Sequence, residues 1–157
     1  MRYVLMDRIC SLEPGRTLTG LKNVTMSDAL LTRYAVDLWA LPPAMLLEAM
    51  AQAAGVLVAS TIDFRAQPVL AKVQPFWCER LAVPGDQIVV SVQLLELRSE
   101  GCRAGVIARV GSDVAAEATI FLALAPLEEP TRARLRAHMA HTFPGWFDEP
   151  AVVEVHP

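Results

Sequence analysis

The fold is decided by residues 42–59, which read Pro-Pro-Ala-Met-Leu-Leu-Glu-Ala-Met-Ala-Gln-Ala-Ala-Gly-Val-Leu-Val-Ala. The two prolines indicate a helix start, because the first N–H groups of a helix have no acceptor inside it. The run is apolar on every side except at Glu48 and Gln52, and residues four apart lie one above the other on a helix. We therefore expect a buried helix that carries one carboxyl and one amide on the same face. A buried carboxyl is costly unless it is paired or protonated, which makes Glu48 a candidate functional residue.

Strand patterns flank this helix on both sides. Residues 3–13 and 16–25 predict two strands joined by a turn at Pro14-Gly15, whereas residues 26–41 are less regular. After the helix, residues 68–78 predict a strand, and apolar residues alternate with a period of two near 88–94, 102–110 and 114–124. The short turns between these strands favour antiparallel pairing. We predict an α+β fold with one antiparallel sheet of about six strands wrapped around one long central helix.

The composition excludes several classes of function. The chain has 157 residues, of which 54% are hydrophobic and 20% charged, which fits one domain with apolar surface covered in an oligomer. A net charge of -3 gives no basic surface for nucleic acid. Glu48 and Gln52 argue against a membrane span at 44–60. The three cysteines are scattered and odd in number, so we expect a reducing, cytoplasmic setting with neither a metal nor a cofactor.

The tail, residues 126–157, differs from the rest of the chain and predicts an appended helix and arm beyond a domain at 1–125. Three arginines, Arg132, Arg134 and Arg136, follow Pro130, and they either form a solvated helix face or meet an acidic partner protein. All three histidines of the chain lie here, namely His138, His141 and His156. Each is either solvated or, if the tail folds back, close to the central helix.

Six short segments resemble one known family. They are Tyr3–Ile9, Glu13-Pro14-Gly15, Leu21-Lys22-Asn23-Val24-Thr25, Glu48-Ala49-Met50-Ala51-Gln52, Val83-Pro84-Gly85-Asp86 and Ala115-Ala116-Glu117-Ala118. In these segments the chain resembles the FabZ-type 3-hydroxyacyl-[acyl-carrier-protein] dehydratases of the hot-dog fold. The resemblance implies a dimer that acts on acyl-carrier-protein thioesters. It also implies general acid–base catalysis in which a histidine removes the α-proton and the helix carboxyl of the other subunit protonates the leaving hydroxyl.

The chain departs from the family at two catalytic positions. The family's histidine stands fourteen residues before the helix carboxyl, and here that position is Tyr34, whose hydroxyl is a poor base at neutral pH unless a cation lies close. Tyr34 either acts as the base in place of the family's histidine or only fills the space of that histidine. The family's Met-Pro-Gly becomes Leu41-Pro42-Pro43, so Pro43 removes an N–H group expected to polarise the thioester carbonyl. With Gln52, Pro43 and Trp39 are expected to line the substrate tunnel.

Four functions follow as hypotheses, and whether the chain is an enzyme by itself stays open. The first is a dehydratase-like protein of fatty-acid or polyketide-type biosynthesis that binds 3-hydroxyacyl or enoyl thioesters of acyl carrier protein. It would be impaired alone, as a homodimer, and complemented as a heterodimer by an active paralogue. The second is a hot-dog thioesterase that uses Glu48. The third is a non-enzymatic subunit that binds acyl chains, and the fourth is a true dehydratase that uses Tyr34 as its base.

Overall fold

The computed structural model describes residues 4–147. Ten elements follow one another along the chain: β1 (Arg8–Glu13), β2 (Thr17–Asn23), β3 (Thr32–Ala35), β4 (Leu38–Ala40), α1 (Pro43–Thr61), β5 (Ala66–Cys78), β6 (Gln87–Leu97), β7 (Gly101–Val110), β8 (Asp113–Pro126) and α2 (Glu129–Thr142).

Six strands form one antiparallel sheet in the order β1-β2-β6-β7-β8-β5. Tight turns join β1 to β2, β6 to β7 and β7 to β8, and Gly15 and Gly111 in two of these turns adopt left-handed φ values of 81° and 60°. β5 follows α1 and returns to pair with β8, which leaves β1 and β5 at the two edges of the sheet. The predicted α+β architecture is confirmed, and it is the hot-dog arrangement that the resemblance implied.

The sheet wraps around α1 because both contribute apolar surface that must be buried. Alternate residues of the central strands point at the helix and are buried, among them Val90, Val106 and Ile120. The helix presents small residues to them, and Ala49, Ala53 and Ala54 have no exposed surface. α1 is long and apolar enough to cross a membrane, but 72% of the relevant window is buried within the domain. That burial is typical of a core helix.

The segment at residues 26–41, which the sequence analysis expected to be less regular, contains a hairpin. β3 and β4 pair only with each other, in a sheet of their own, and nearly all of their side chains are exposed. The strands are four and three residues long, too short to show a periodic pattern in the sequence. The hairpin leads directly into Leu41, whose N–H donates to the carbonyl of Ala82, and then into α1.

α2 packs against the C-terminal end of α1 through one short segment. Arg132 donates from Nε to the backbone carbonyl of Asp63 at 3.1 Å, and the guanidinium groups of Arg132 and Arg136 both bind the Asp63 carboxylate. The Arg136 guanidinium also lies 5.5 Å from the centroid of the Phe64 ring, and Phe147 meets the same ring edge to face at 5.6 Å. The predicted helix after Pro130 is thus present and docked, and the division of the chain at 125/126 stays a prediction.

Candidate functional site

Glu48 lies in the second turn of α1, and its carboxyl is exposed on the single chain. Gln52 lies one turn further on and donates from Nε2 to Oε1 of Glu48 at 2.9 Å. Within residues 4–147, Gln52 is the one hydrogen-bond partner of this carboxylate. The expectation that Glu48 is buried is therefore wrong for the isolated chain. The sheet and other segments bury most of α1, while the side chain of Glu48 is exposed.

Gln52 is buried and is held by the N-terminal segment. The backbone N–H of Leu5 donates to Gln52 Oε1 at 2.9 Å. A backbone N–H requires an acceptor, so this bond assigns the amide oxygen to Leu5 and turns the NH₂ group toward Glu48. The amide thus orients the carboxylate through its Oε1 atom. Glu48 and Gln52 were expected to share one face of the helix, and the structure brings them together.

The start of α1 offers few N–H donors. Pro42 precedes the helix and Pro43 is its first residue, so neither has an N–H group. The N–H groups of Met45 and Leu46 both donate to the carbonyl of Pro42, at 2.8 and 3.1 Å. Ala44 keeps a first-turn N–H with no acceptor among the described residues. A carbonyl docked at this helix start would find one backbone donor, which is fewer than an oxyanion hole of two donors supplies.

Tyr34 and Trp39 lie on the β3–β4 hairpin, with 46% and 40% of their surface exposed. The guanidinium of Arg33, the cation next to Tyr34 in the sequence, is bound to backbone carbonyls instead. It donates from Nε to the carbonyl of Ala35 at 3.2 Å and from Nη2 to that of Val36 at 2.8 Å. Neither Tyr34 nor Trp39 lines the cavity beside Glu48, and Pro43 does not line it either. One chain therefore does not assemble these three predicted residues around the carboxylate.

A cavity of about 230 Å³ begins at Glu48 and follows α1 toward its C-terminal end. Its floor is a row of small residues on α1, and β5 and β8 form one side. The opposite side is formed by Leu135 and Met139 of α2, which the sequence analysis did not identify as site residues. Their spacing of four residues was a signal for a shared helix face, but nothing local indicated which surface that face would meet.

The tail residues fall into three groups. His138 and His141 are both exposed, and His138 borders a small cleft beside Gln52, between α2 and the N-terminal segment; His156 lies outside the described residues. Arg132 and Arg136 form ion pairs with Asp63. The hydrogen bond from Arg132 to Glu129, and to a smaller extent the one to Asp63, raises the pKa of the Arg132 guanidinium. Arg134 alone of the three arginines is exposed. The predicted contact with an acidic partner therefore rests on one arginine.

Other reactive groups do not add to the site. Burial raises the pKa of the Cys102 thiol to about 11, and it also raises that of Cys78. Neither thiol is a candidate nucleophile, because the thiolate is the reactive form. Among residues 4–147, no group of three or more histidine, cysteine, aspartate or glutamate side chains is placed to hold a metal ion.

Comparison with known proteins places this geometry in a family. A sequence model of the FabA-like domain matches residues 1–121. A 3-hydroxyacyl-[acyl-carrier-protein] dehydratase FabZ of Symbiobacterium thermophilum is 35% identical over 134 residues, which cover 84% of this chain and 94% of that protein. The FabZ protein of Neisseria meningitidis serogroup C is also 35% identical, over 124 residues that cover 77% of this chain and 83% of that protein.

Solved structures agree on the fold. The dehydratase heterocomplex ApeI:P of Xenorhabdus doucetiae matches with a TM-score of 0.67 at 15% identity, over 84% of this chain and 88% of that one. At this identity the match concerns the fold alone.

Proposed function

The chain belongs to the FabA-like domain family, and on that premise we propose that it is a FabZ-type dehydratase subunit that supplies the acid but not the base. It binds 3-hydroxyacyl or enoyl thioesters of acyl carrier protein in fatty-acid or polyketide-type biosynthesis. Alone it is catalytically impaired, and it works as a heterodimer with a paralogue that carries the histidine. The free thiols of all three cysteines agree with a cytoplasmic location.

One observation supports the proposal: the Glu48 carboxyl is oriented on α1, while a tyrosine occupies the position where the family's histidine is expected. Glu48 is oriented by Gln52, and Gln52 is fixed by the N–H of Leu5. In the elimination, a histidine of the partner takes the proton from Cα, the Cα–Cβ double bond forms, and the Cβ–O bond breaks. Protonated Glu48 gives its proton to the departing hydroxyl, which leaves as water. Tyr34 stands where the family's histidine would be, on an exposed hairpin.

The surface of the chain supports a partner. The β3–β4 hairpin exposes Tyr34, Val36, Leu38 and Trp39, and the edge strand β5 exposes Val69, Leu70 and Trp77. Apolar residues grouped like this on a single chain are typical of a protein interface. Glu48 is exposed on the same chain, so a partner that covers it would complete the dry site that proton transfer favours.

A hybrid dimer tests the proposal. The partner is a FabZ-type paralogue that keeps its histidine but whose own helix carboxylate is changed to glutamine, so that its homodimer is inactive. The two chains carry different affinity tags, and the mixed dimer is purified over both columns. We expect it to hydrate a crotonyl thioester, because the partner's histidine and Glu48 together form one complete site. The substitution Glu48→Gln in this chain should remove that activity.

A control variant and the homodimer test whether the partner's histidine, rather than a group of this chain, is the base. His138→Gln should leave the hybrid activity unchanged, whereas its loss would assign the base to α2 and contradict the proposal. A hybrid dimer that forms but gives no hydration would also contradict it. The same holds if the homodimer of this chain hydrates the thioester as fast as the hybrid, because the partner would then contribute nothing.

A thioesterase is the second candidate, and the exposed carboxylate of Glu48 favours it. An open carboxylate could activate water against a thioester carbonyl docked at the start of α1. The single donor at Ala44 argues against efficient hydrolysis. Release of free thiol from acyl-CoA by the homodimer, lost in Glu48→Ala, would support the thioesterase. Acyl binding with neither reaction would identify the third candidate, a non-enzymatic acyl-binding subunit.

A further inference from the structure

Two side chains of α2 lie over the face of α1 that carries Glu48. Leu135 and Met139 are four residues apart, so both project from the same side of α2. They form one side of the cavity of about 230 Å³ that begins at Glu48. Met139 is only 6% exposed, which makes it one of the few residues of α2 packed firmly onto the domain.

The cavity suits an apolar chain with its reacting end at Glu48. Polar side chains of the lining are few, and Glu48 and Gln52 lie together at one end. Beyond them the floor is Ala51, Gly55 and Ala59, on successive turns of α1. A Cβ atom added at Gly55 would meet nothing within 4 Å, so space above the helix is open at this point. The depth of that space is limited by the side chains facing it from α2.

The side formed by α2 is held by anchors that lie away from the cavity. Arg132 and Arg136 bind Asp63 beyond the end of α1, and Phe147 packs on Phe64. Asp63 and Phe64 do not line the cavity, so these contacts lie outside the space that an occupant would fill. The family match ends at residue 121, before α2 begins at Glu129. This part of the cavity is therefore a feature of this chain rather than of the matched family region.

We propose that Leu135 and Met139 are specificity-determining residues that set the length of acyl chain the subunit accepts. The proposal rests on the proposed function, because the occupant it names is the acyl chain of a 3-hydroxyacyl thioester. The reacting carbons lie at Glu48, and the chain runs along α1 beneath α2. Leu135 and Met139 limit the chain because they contact its distal methylenes.

The test measures binding, so that it does not depend on catalysis. The probes are 3-hydroxyacyl-pantetheine thioesters from butanoyl to hexadecanoyl, titrated into the full-length protein by calorimetry. The double variant L135A/M139A enlarges the cavity, and Leu135→Phe narrows it. Arg134→Ala is the matched control, because Arg134 is exposed on the same helix and does not line the cavity. Near-UV circular dichroism and hydrogen exchange of α2 check that the helix stays docked.

The two cavity variants should move the preferred chain length in opposite directions. One methylene in an apolar pocket changes discrimination by roughly tenfold or more, so the double variant should improve binding of the longer chains relative to wild type by roughly tenfold. Leu135→Phe should weaken binding of the longest acyl chain that the wild type accepts by a similar factor. Arg134→Ala should keep the wild-type dependence of binding on chain length. If wild type binds the series but neither cavity variant shifts its profile, the specificity role is wrong and the proposed function stands. If wild type binds no member of the series, both are wrong.

Discussion

Under the proposed function, Tyr34 and Pro43 are the two residues by which this chain differs from a complete dehydratase. Replacing both, as Tyr34→His with Pro43→Gly, should give the homodimer a measurable hydration of crotonyl thioester. The histidine restores a base that titrates near neutral pH, and the glycine restores an N–H at the first position of α1. A positioned general base contributes roughly 10²–10⁴-fold, so the double variant should exceed Pro43→Gly alone by about that factor.

The added substitution Glu48→Gln should remove the gained activity, which would tie it to the helix carboxylate. If the double variant folds and dimerises but stays inactive, then Tyr34 does not occupy the position of the missing base. A thermal unfolding curve for each variant excludes simple loss of structure, since glycine in place of proline raises the entropy of the unfolded chain and lowers stability by about 1 kcal/mol.

Gln52 connects the N-terminal segment to the carboxylate, and its removal should show in stability as well as in the site. Gln52→Met keeps the volume of the side chain but leaves the buried N–H of Leu5 without this acceptor. An unsatisfied buried donor costs about 1–3 kcal/mol, and the free energy of unfolding in urea should fall by that amount. Gln67→Met, at an exposed glutamine on β5, should change it by less than about 0.5 kcal/mol. Equal losses in the two variants would mean that the Leu5–Gln52 bond does not stabilise the fold.

Among the elements, α2 is held in its docked position chiefly by the carboxylate of Asp63, which follows the end of α1. Asp63 is bound by Arg132 and Arg136 and is mostly buried, whereas Glu129 also binds Arg132 but is 76% exposed. Asp63→Asn should therefore speed amide hydrogen exchange throughout α2 and lower the free energy of unfolding by about 1–2 kcal/mol. Glu129→Gln should change stability by less than about 0.5 kcal/mol. Faster exchange in Glu129→Gln than in Asp63→Asn would place the anchor of α2 elsewhere.

The elements differ in how far the sequence could predict them. The apolar run after Pro42-Pro43 was enough to place α1, and the period-2 alternation of β6, β7 and β8 was enough to place the sheet. The β3–β4 hairpin has strands too short to show a period, and its pairing is purely local. The docking of α2 depends on Asp63, some 70 residues away along the chain, and no local pattern encodes such a contact. The exposure of Glu48 was missed because an apolar sequence does not say whether the sheet or a second chain covers each face.

At the scale of the whole molecule, the sheet ends in an edge strand that a single chain leaves unpaired. β5 pairs with β8 on one side only, is 13 residues long, and exposes Val69 and Trp77. An unpaired edge with exposed apolar residues readily pairs with another chain, and replacing those residues by charged ones opposes that pairing. The variant V69K/W77K should therefore sediment as a monomer of 17.1 kDa, whereas we expect the unmodified chain to sediment as a dimer.

The matched control for this change is Leu95→Lys, which adds a charge at an equally exposed leucine on β6, a strand with neighbours on both sides. It should leave the dimer intact, because no edge is altered. If V69K/W77K still forms a dimer, the interface is assigned to the β3–β4 hairpin instead of β5. In that case lysine at Trp39 should dissociate it. The proposed function predicts that the hybrid activity is lost together with the dimer, because it builds the site from Glu48 of this chain and the partner's histidine. A monomeric variant that kept full hybrid activity would contradict a site built from two chains.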